Sequence, residues 1–138
     1  MSTEKYATRM WDVNDPRRDQ LIAAIVKHAK VTLACEPEDL IIEGNAMASG
    51  DDEIDREQEK WIHDQLDAGN EWAWCNVVVR VTYDGFHADD GLGSCSYLSE
   101  ADFKRDGYFG DMVRTASARL ADKLIAAGCV VDALLAKR

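Results

Sequence analysis

Apolar positions recur along this chain at two spacings, and the places where the spacing changes mark the elements. Leu21, Ile22, Ile25, Val26 and Ala29 recur at helical intervals, as one face of a 3.6-residue turn does. Asp15 before Pro16 reads as an N-cap with proline at the first helical position. Lys27, His28 and Lys30 stand where cations favour a helix C-terminus. Together they predict a helix from about 16 to 30, reaching at most 34, with a short strand at Tyr6–Val13 before it. The stretch 31–44 reads two ways: Val31-Thr32-Leu33 favours a strand, Pro37-Glu38-Asp39 a new helical turn.

A small, flexible stretch, 45–50, predicts a loop. A second helix is expected over 51–67, closed by Gly69, with Ile54, Gln58, Trp61, Ile62, Gln65 and Leu66 inward. Glu53, Glu57 and Asp64 share one flank of it, Asp52 and Glu59 the other. Period-two alternation takes over at 71–83. Ala73, Cys75, Val77, Val79, Val81 and Tyr83 make one strand face, and Trp72, Trp74, Asn76, Val78, Arg80 and Thr82 the other. Asp84-Gly85 opens a turn, Asp89-Asp90-Gly91 continues it as a loop, and 92–97 returns as the partner strand of a 72–97 hairpin. Ser99 with Asp102 forms a capping box for a short helix to about Arg105. Gly107 and Gly110 bracket Tyr108-Phe109, and a last helix runs from about 111 to 127 with Val113, Ala116, Leu120, Leu124 and Ala127 inward. It ends at Gly128, and the tail from Cys129 adds one more turn. The expected fold is α+β, a single domain over 1–138 in which about three helices pack on a small, mainly antiparallel sheet around 72–83.

Composition agrees with a soluble globular domain: 138 residues, 46% hydrophobic, 30% charged, no apolar run near the length of a membrane span. The opening MSTEKYATR lacks the apolar core of a secretory signal. Cys35, Cys75, Cys95 and Cys129 are widely spaced, with no C-x-x-C, so reduced thiols in a cytoplasm are expected, and no zinc site.

Charge changes the picture more. The net charge is −10, which argues against a general nucleic-acid binder and against attachment to anionic lipid. Residues 36–71 hold 13 acids and 2 bases, a net of −11, so this quarter contains the whole excess. The predicted helix 51–67 alone holds 8 acids and 2 bases over about 25 Å. Duplex DNA carries about 15 charges in that length. One helix is too thin to replace a duplex, but it can cover a local basic patch.

One stretch has a familiar order. E-W-A-W-C-N-V-V-V-R-V at 71–81, L-G-S-C-S-Y at 92–97, Phe103, and G-Y-F-G-D-M-V at 107–113 resemble a pattern in small phage and prophage proteins. The resemblance covers roughly 71–125. Phe109 stands where a second Tyr is usual, and Ser94 where Gly is common. It implies a phage setting and the cytoplasm of a host bacterium; it implies no active site.

Three groups of residues could carry chemistry. Gly91-x-Gly93 lacks the third glycine, the lysine and the following helix of a phosphate loop. Cys95 with His87 and Asp89 would make a nucleophile, base and orienting group, but the neighbouring acids raise a thiol's pKa. His87, Asp89 and Asp90 lack the spacing of a calcium loop. The expectation is therefore a small acidic interaction protein, not an enzyme, with no cofactor and no metal. Its expected role is anti-defence: an inhibitor that blocks a basic nucleic-acid-binding surface of a host restriction or CRISPR protein. Asp52, Glu53, Glu57, Asp64, Trp72 and Trp74 are the expected partner contacts, with no direct nucleic-acid or membrane contact. The Trp pair would alternatively serve a homodimer. The competing readings are a small-molecule binder or enzyme built on the 84–97 loop, and a virion or replication accessory protein.

Overall fold

The structure, a computed structural model, describes residues 16–46, 49–83 and 85–127. The strand expected at 6–13, the Asp15 cap, the stop at Gly128 and the turn after it lie outside these residues. Among the described residues the order is α1 (Pro16–His28), β1 (Lys30–Pro37), α2 (Asp52–Asp67), a 3-10 turn (Glu71–Ala73), β2 (Cys75–Tyr83), β3 (Phe86–Cys95), α3 (Glu100–Arg105) and α4 (Tyr108–Ala126). The three strands form one antiparallel sheet in the order β1-β2-β3. The class is α+β, with four described helices rather than three. No described helix is long and apolar enough to cross a membrane.

The ambiguous stretch 31–44 is a strand as far as Pro37, and 38–44 is bend and turn, neither strand nor helix. α1 stops at His28, and β-branched Val31 and Thr32 enter β1 beside β2. Leu21 and Ile25 are wholly buried, while Val26 is exposed and falls off the predicted stripe. In β2 the odd-numbered face is as expected: Cys75, Val77, Val79 and Val81 are all wholly buried. Each such side chain contributes about 1.5–3 kcal/mol on leaving water.

Two boundaries of the predicted hairpin are corrected. The strand begins at Cys75 and not at Trp72, because Asn70 caps a 3-10 turn whose Trp72 N–H it accepts at 3.2 Å. Trp72 and Trp74 therefore do not share a strand face. At the other end, β3 begins at Phe86, so Asp89-Asp90-Gly91 lie in a strand and not in a loop. Gly85, just before β3, takes φ +82°, open to glycine without strain. The acids are tolerated in β3 because each meets a cation. Arg80 grips Asp89 through Nε (2.7 Å) and Nη2 (3.0 Å), and Arg119 reaches Asp90 at 3.2 Å.

Ser99 caps α3 as expected, its hydroxyl accepting from Asp102 N, but the return bond of the box is displaced by one residue: the Asp102 carboxylate accepts from Leu98 N and not from Ser99 N. α4 starts three residues earlier than expected. Gly107, at φ +85°, makes the break from α3, and Gly110 lies inside the helix. Met112, Ala116, Ser117, Leu120, Ala121 and Leu124 are its buried residues; Ala127 is exposed.

The described chain divides into two compact units. The first comprises 16–32, 79–90 and 110–127, and its core joins Leu21, Ile25, Val81, Ala88, Ala116, Leu120, Ala121 and Leu124. The second comprises 33–78 and 91–109; in it Ile42, Ile62, Ala73 and Trp74 form a buried cluster flanked by Ala46, Trp61 and Leu66, and Cys75, Val77, Cys95 and Phe103 are buried as well.

Candidate functional site

The acidic quarter lies in the second unit, and α2 carries most of it. Asp51 is the N-cap, in extended backbone, and its carboxylate accepts from Glu53 N (3.0 Å) and Ile54 N (3.3 Å). Ser49 donates to Asp55 through both its hydroxyl (2.7 Å) and its backbone N–H (3.2 Å). Carboxylates in this first turn also suit the positive end of the helix dipole. The helix ends where Gly69, at φ +92°, turns left-handed.

Rotation of α2 is set by its apolar stripe. Ile62 is wholly buried against Ile42, Ala73 and Trp74, with Trp61 and Leu66 half-buried beside it. Ile54 was expected inward but is 48% exposed, one turn beyond the reach of that small core. The opposite side then faces water, and Asp52, Glu53, Glu57 and Asp64 are all exposed.

The acids of this region fall into two sets. One set is occupied locally. Asp51 and Asp55 cap the helix start, Asp52 lies 4.0 Å from Arg56, and Glu38 accepts from the Ser94 hydroxyl at 3.3 Å. Glu43 pairs with His63 of α2, and that imidazole holds the Glu43 carboxyl below the usual carboxylate range, aided by a backbone hydrogen bond. The second set is Glu36, Asp39, Glu53, Glu57, Glu59, Asp64, Asp67 and Glu71, of which Glu53, Glu57 and Asp64 share one flank of α2. Among the described residues their side chains make no hydrogen bond or ion pair. Lys60 stands on the margin of this strip by its helical position but makes no ion pair within 4.0 Å among the described residues. The Asp52–Arg56 spacing was legible as i,i+4. The Glu43–His63 pair, twenty residues apart, carried no sequence signal.

The two tryptophans are placed differently from each other. Trp74 is 6% exposed, and its indole N–H donates to Leu40 O at 2.8 Å. Its ring belongs to the core, and it is withdrawn from the contact surface. Trp72 is half-buried and stacks, tilted, on Phe103 at 5.9 Å. Tyr97 meets the same Phe103 edge-on at 5.2 Å, and its hydroxyl donates to Asp106 at 2.6 Å. Burial and that carboxylate push the Tyr97 phenol well up. Trp72, Tyr97 and Phe103 are thus occupied in packing.

The 84–97 hairpin does not assemble the chemistry its composition suggested. Asp89 is neighbour to Arg80, which holds its carboxyl low, while Asp90 turns to Arg119, so the two acids of the His87/Asp89/Asp90 trio are separately engaged. Among the described residues no group of three metal-ligating side chains comes together. Cys95 is buried, donates to Leu92 O at 3.2 Å, and burial pushes its thiol up. His87 is exposed eight residues away along the strand, about 26 Å at strand rise. Cys35 and Cys75 are also free, with thiols raised by burial. The Gly91-x-Gly93 pair lies in β3 with no helix following. A Cβ at Gly93 would stand 2.9 Å from Asn76 Oδ1, so the glycine there serves close cross-strand approach.

Compared with family models, curated proteins and solved structures, the chain matches none.

Proposed function

We propose that this protein acts by docking the exposed face of α2 onto a basic surface of a host protein that handles nucleic acid, so that phosphates are kept off that surface. The proposed targets are host-defence effectors of the restriction or CRISPR type. One observation carries the reading: Glu53, Glu57 and Asp64 form an exposed row on one flank of α2 whose side chains make no hydrogen bond or ion pair among the described residues, with Lys60 at its margin. Like charges at i,i+4, as at 53 and 57, oppose helix stability by a few tenths of a kcal/mol, so folding does not call for the row. The phage-type pattern at 71–113 supplies the setting.

The row spans about 16 Å of helix, a length in which duplex DNA carries about 10 charges. Three carboxylates match one local patch of Lys and Arg and not a whole DNA groove. Charge of this kind governs encounter rate and partner choice more than affinity, so the contact should weaken sharply as salt rises.

The test is capture from a bacterial lysate at low and high salt, with short duplex DNA as competitor. The parent should retain a nucleic-acid-binding protein that duplex DNA displaces, although the chain itself binds no DNA. Changing Glu53, Glu57 and Asp64 together to Gln should weaken that binding at least about tenfold at low salt, ~1.4 kcal/mol. Undiminished capture by the folded triple variant would remove the docking role of α2.

A further inference from the structure

We propose that β1 is a self-pairing edge: two copies of this chain join their Lys30–Pro37 strands antiparallel about a two-fold axis, making one six-stranded sheet. The inference stands apart from the docking role of α2.

A three-stranded sheet in the order β1-β2-β3 has two edge strands, and this protein treats them unequally. The β3 edge is occupied from within. Lys123 donates to His87 O at 2.8 Å, and Arg119 donates to Asp89 O at 2.7 Å, so two long cations from α4 take up its carbonyls. Asp89 and Asp90 add charge along the same strand. Charged side chains and covered carbonyls are how edges are kept from pairing with other chains.

β1 carries none of this along its middle. Val31-Thr32-Leu33-Ala34-Cys35 is uncharged, free of proline, and rich in residues that suit a pleated surface. A side-chain contact to the backbone of β1 comes at its end, where Asn76 donates to Pro37 O at 3.4 Å. Charge appears only at the ends, Lys30 on one and Glu36 on the other, and both are exposed on the same face together with Thr32 and Ala34.

That placement names the occupant. When two β1 strands pair antiparallel with Leu33 opposite Leu33, Lys30 of each copy faces Glu36 of the other. Thr32 faces Ala34, Val31 faces Cys35, and each unlike-charge pair occurs twice by symmetry. Directly opposed residues on one face are the unit of sheet stabilisation, favourable for unlike and unfavourable for like charges. Sliding the register by two residues puts Lys30 opposite Ala34 and loses both pairs. An isologous contact of this kind closes on itself, so it ends at a dimer and seals the edge instead of propagating it. Pro37, which has no N–H to offer, marks the end of the paired segment.

Sedimentation velocity on the full chain in low-salt buffer tests this, comparing the parent with K30E, E36K and K30E/E36K. The parent should shift from monomer to dimer with concentration. Each single variant sets like charges opposite one another twice and should weaken the dimer at least about tenfold, ~1.4 kcal/mol. The double variant restores complementarity and should recover the parent's constant. Both positions are exposed, so thermal melts at dilution should be unchanged and confirm that each variant folds. A parent that stays monomeric up to about 0.2 mM overturns the proposal; an edge covered within the chain or by another molecule's peptide gives that result. A dimer indifferent to both single swaps also overturns it.

Discussion

The two units spend their charges differently. In the first, the charged side chains are tied into the fold. Arg18 pairs with Asp122 at 2.9 Å, Arg80 with Asp89, Arg119 with Asp90, and Lys123 caps a strand carbonyl. In the second, the α2 row at 53, 57 and 64 has no such engagement among the described residues. The cores differ in step. In the first unit Leu120 belongs to a cluster of eight buried residues from α1, β2, β3 and α4, and in the second Ile62 belongs to a cluster of four, apart from the wholly buried Cys75, Val77 and Phe103. Charge therefore supports architecture in both units, through caps and ion pairs, but in the second the α2 row is left outside that network. A net charge of −10, read as a single number, hides that division.

The largest expected effect probes the strand that the alternation identified. Val79 is wholly buried in the centre of β2, so Val79→Asp should cost about 4 kcal/mol, because the carboxylate is desolvated without a partner. Thermal unfolding within a degree or two of the parent would show that the odd-numbered face is not the core face.

The next pair sets one core against the other. Leu120→Ala should cost about 3–4 kcal/mol and Ile62→Ala about 2–3 kcal/mol, measured by denaturant midpoint. Both side chains are wholly buried. Around Ile62, however, the half-buried Trp61 and Leu66 can settle into the void, and a site that collapses costs less. A reversed order would erase the difference drawn between the cores.

A smaller effect is expected at Asp89. Arg80 lowers its pKa in the folded state, so the pair contributes in full above the unfolded carboxylate value, about pH 4. The contribution is lost as pH falls through the lower folded value. Both partners are well exposed, 48% and 38%, so Asp89→Asn should cost less than about 1 kcal/mol at neutral pH. The parent and variant should converge in stability as the pH is taken below the folded value. A difference that persists at low pH would assign the loss to something other than this ion pair.

The smallest effect is on the stability of the α2 triple Gln variant. Relief of the Glu53–Glu57 repulsion and loss of Glu53 from the first turn oppose each other, so stability should stay within about 0.5 kcal/mol of the parent. A clear loss of stability would mean that these carboxylates support the fold after all, and the contrast between the units would fail.

These contrasts also separate what was legible in the chain from what was not. β2 announced itself because Cys75, Val77, Val79 and Val81 alternate with less apolar neighbours and all four are buried. The capping acids of α2 and α3 follow rules that act within four residues, and Asp51 and Ser99 are where those rules put them. The start of β3 was not legible. Asp89-Asp90-Gly91 has the composition of a loop, and only Arg80 across the hairpin and Arg119 from α4 make a strand acceptable there. Trp72 looked like part of the strand because alternation does not register the Asn70 cap. For the candidate site, exposure of Glu53, Glu57 and Asp64 followed from the helical wheel. The removal of Trp74 from it did not, since the indole's partner, Leu40 O, lies 34 residues away.

One residue of β3 sets its reading frame. Ala88 and Cys95 are both buried, yet seven positions separate them, and strict alternation would put them on opposite faces. Ser94 takes φ +54°, left-handed backbone uncommon outside glycine, and absorbs the odd residue as a bulge does. The strand is thus written in two phases, even numbers inward up to Leu92 and odd at Cys95, with Ser94 as the phase shift. Length changes here should obey parity. Loss of one residue between 88 and 92 would invert one phase against the other and expose a buried side chain. A paired loss and gain on either side of Ser94 would cancel. The tolerance of this hairpin to insertion and deletion is therefore a property of frame, as in a coding sequence, and not of loop length.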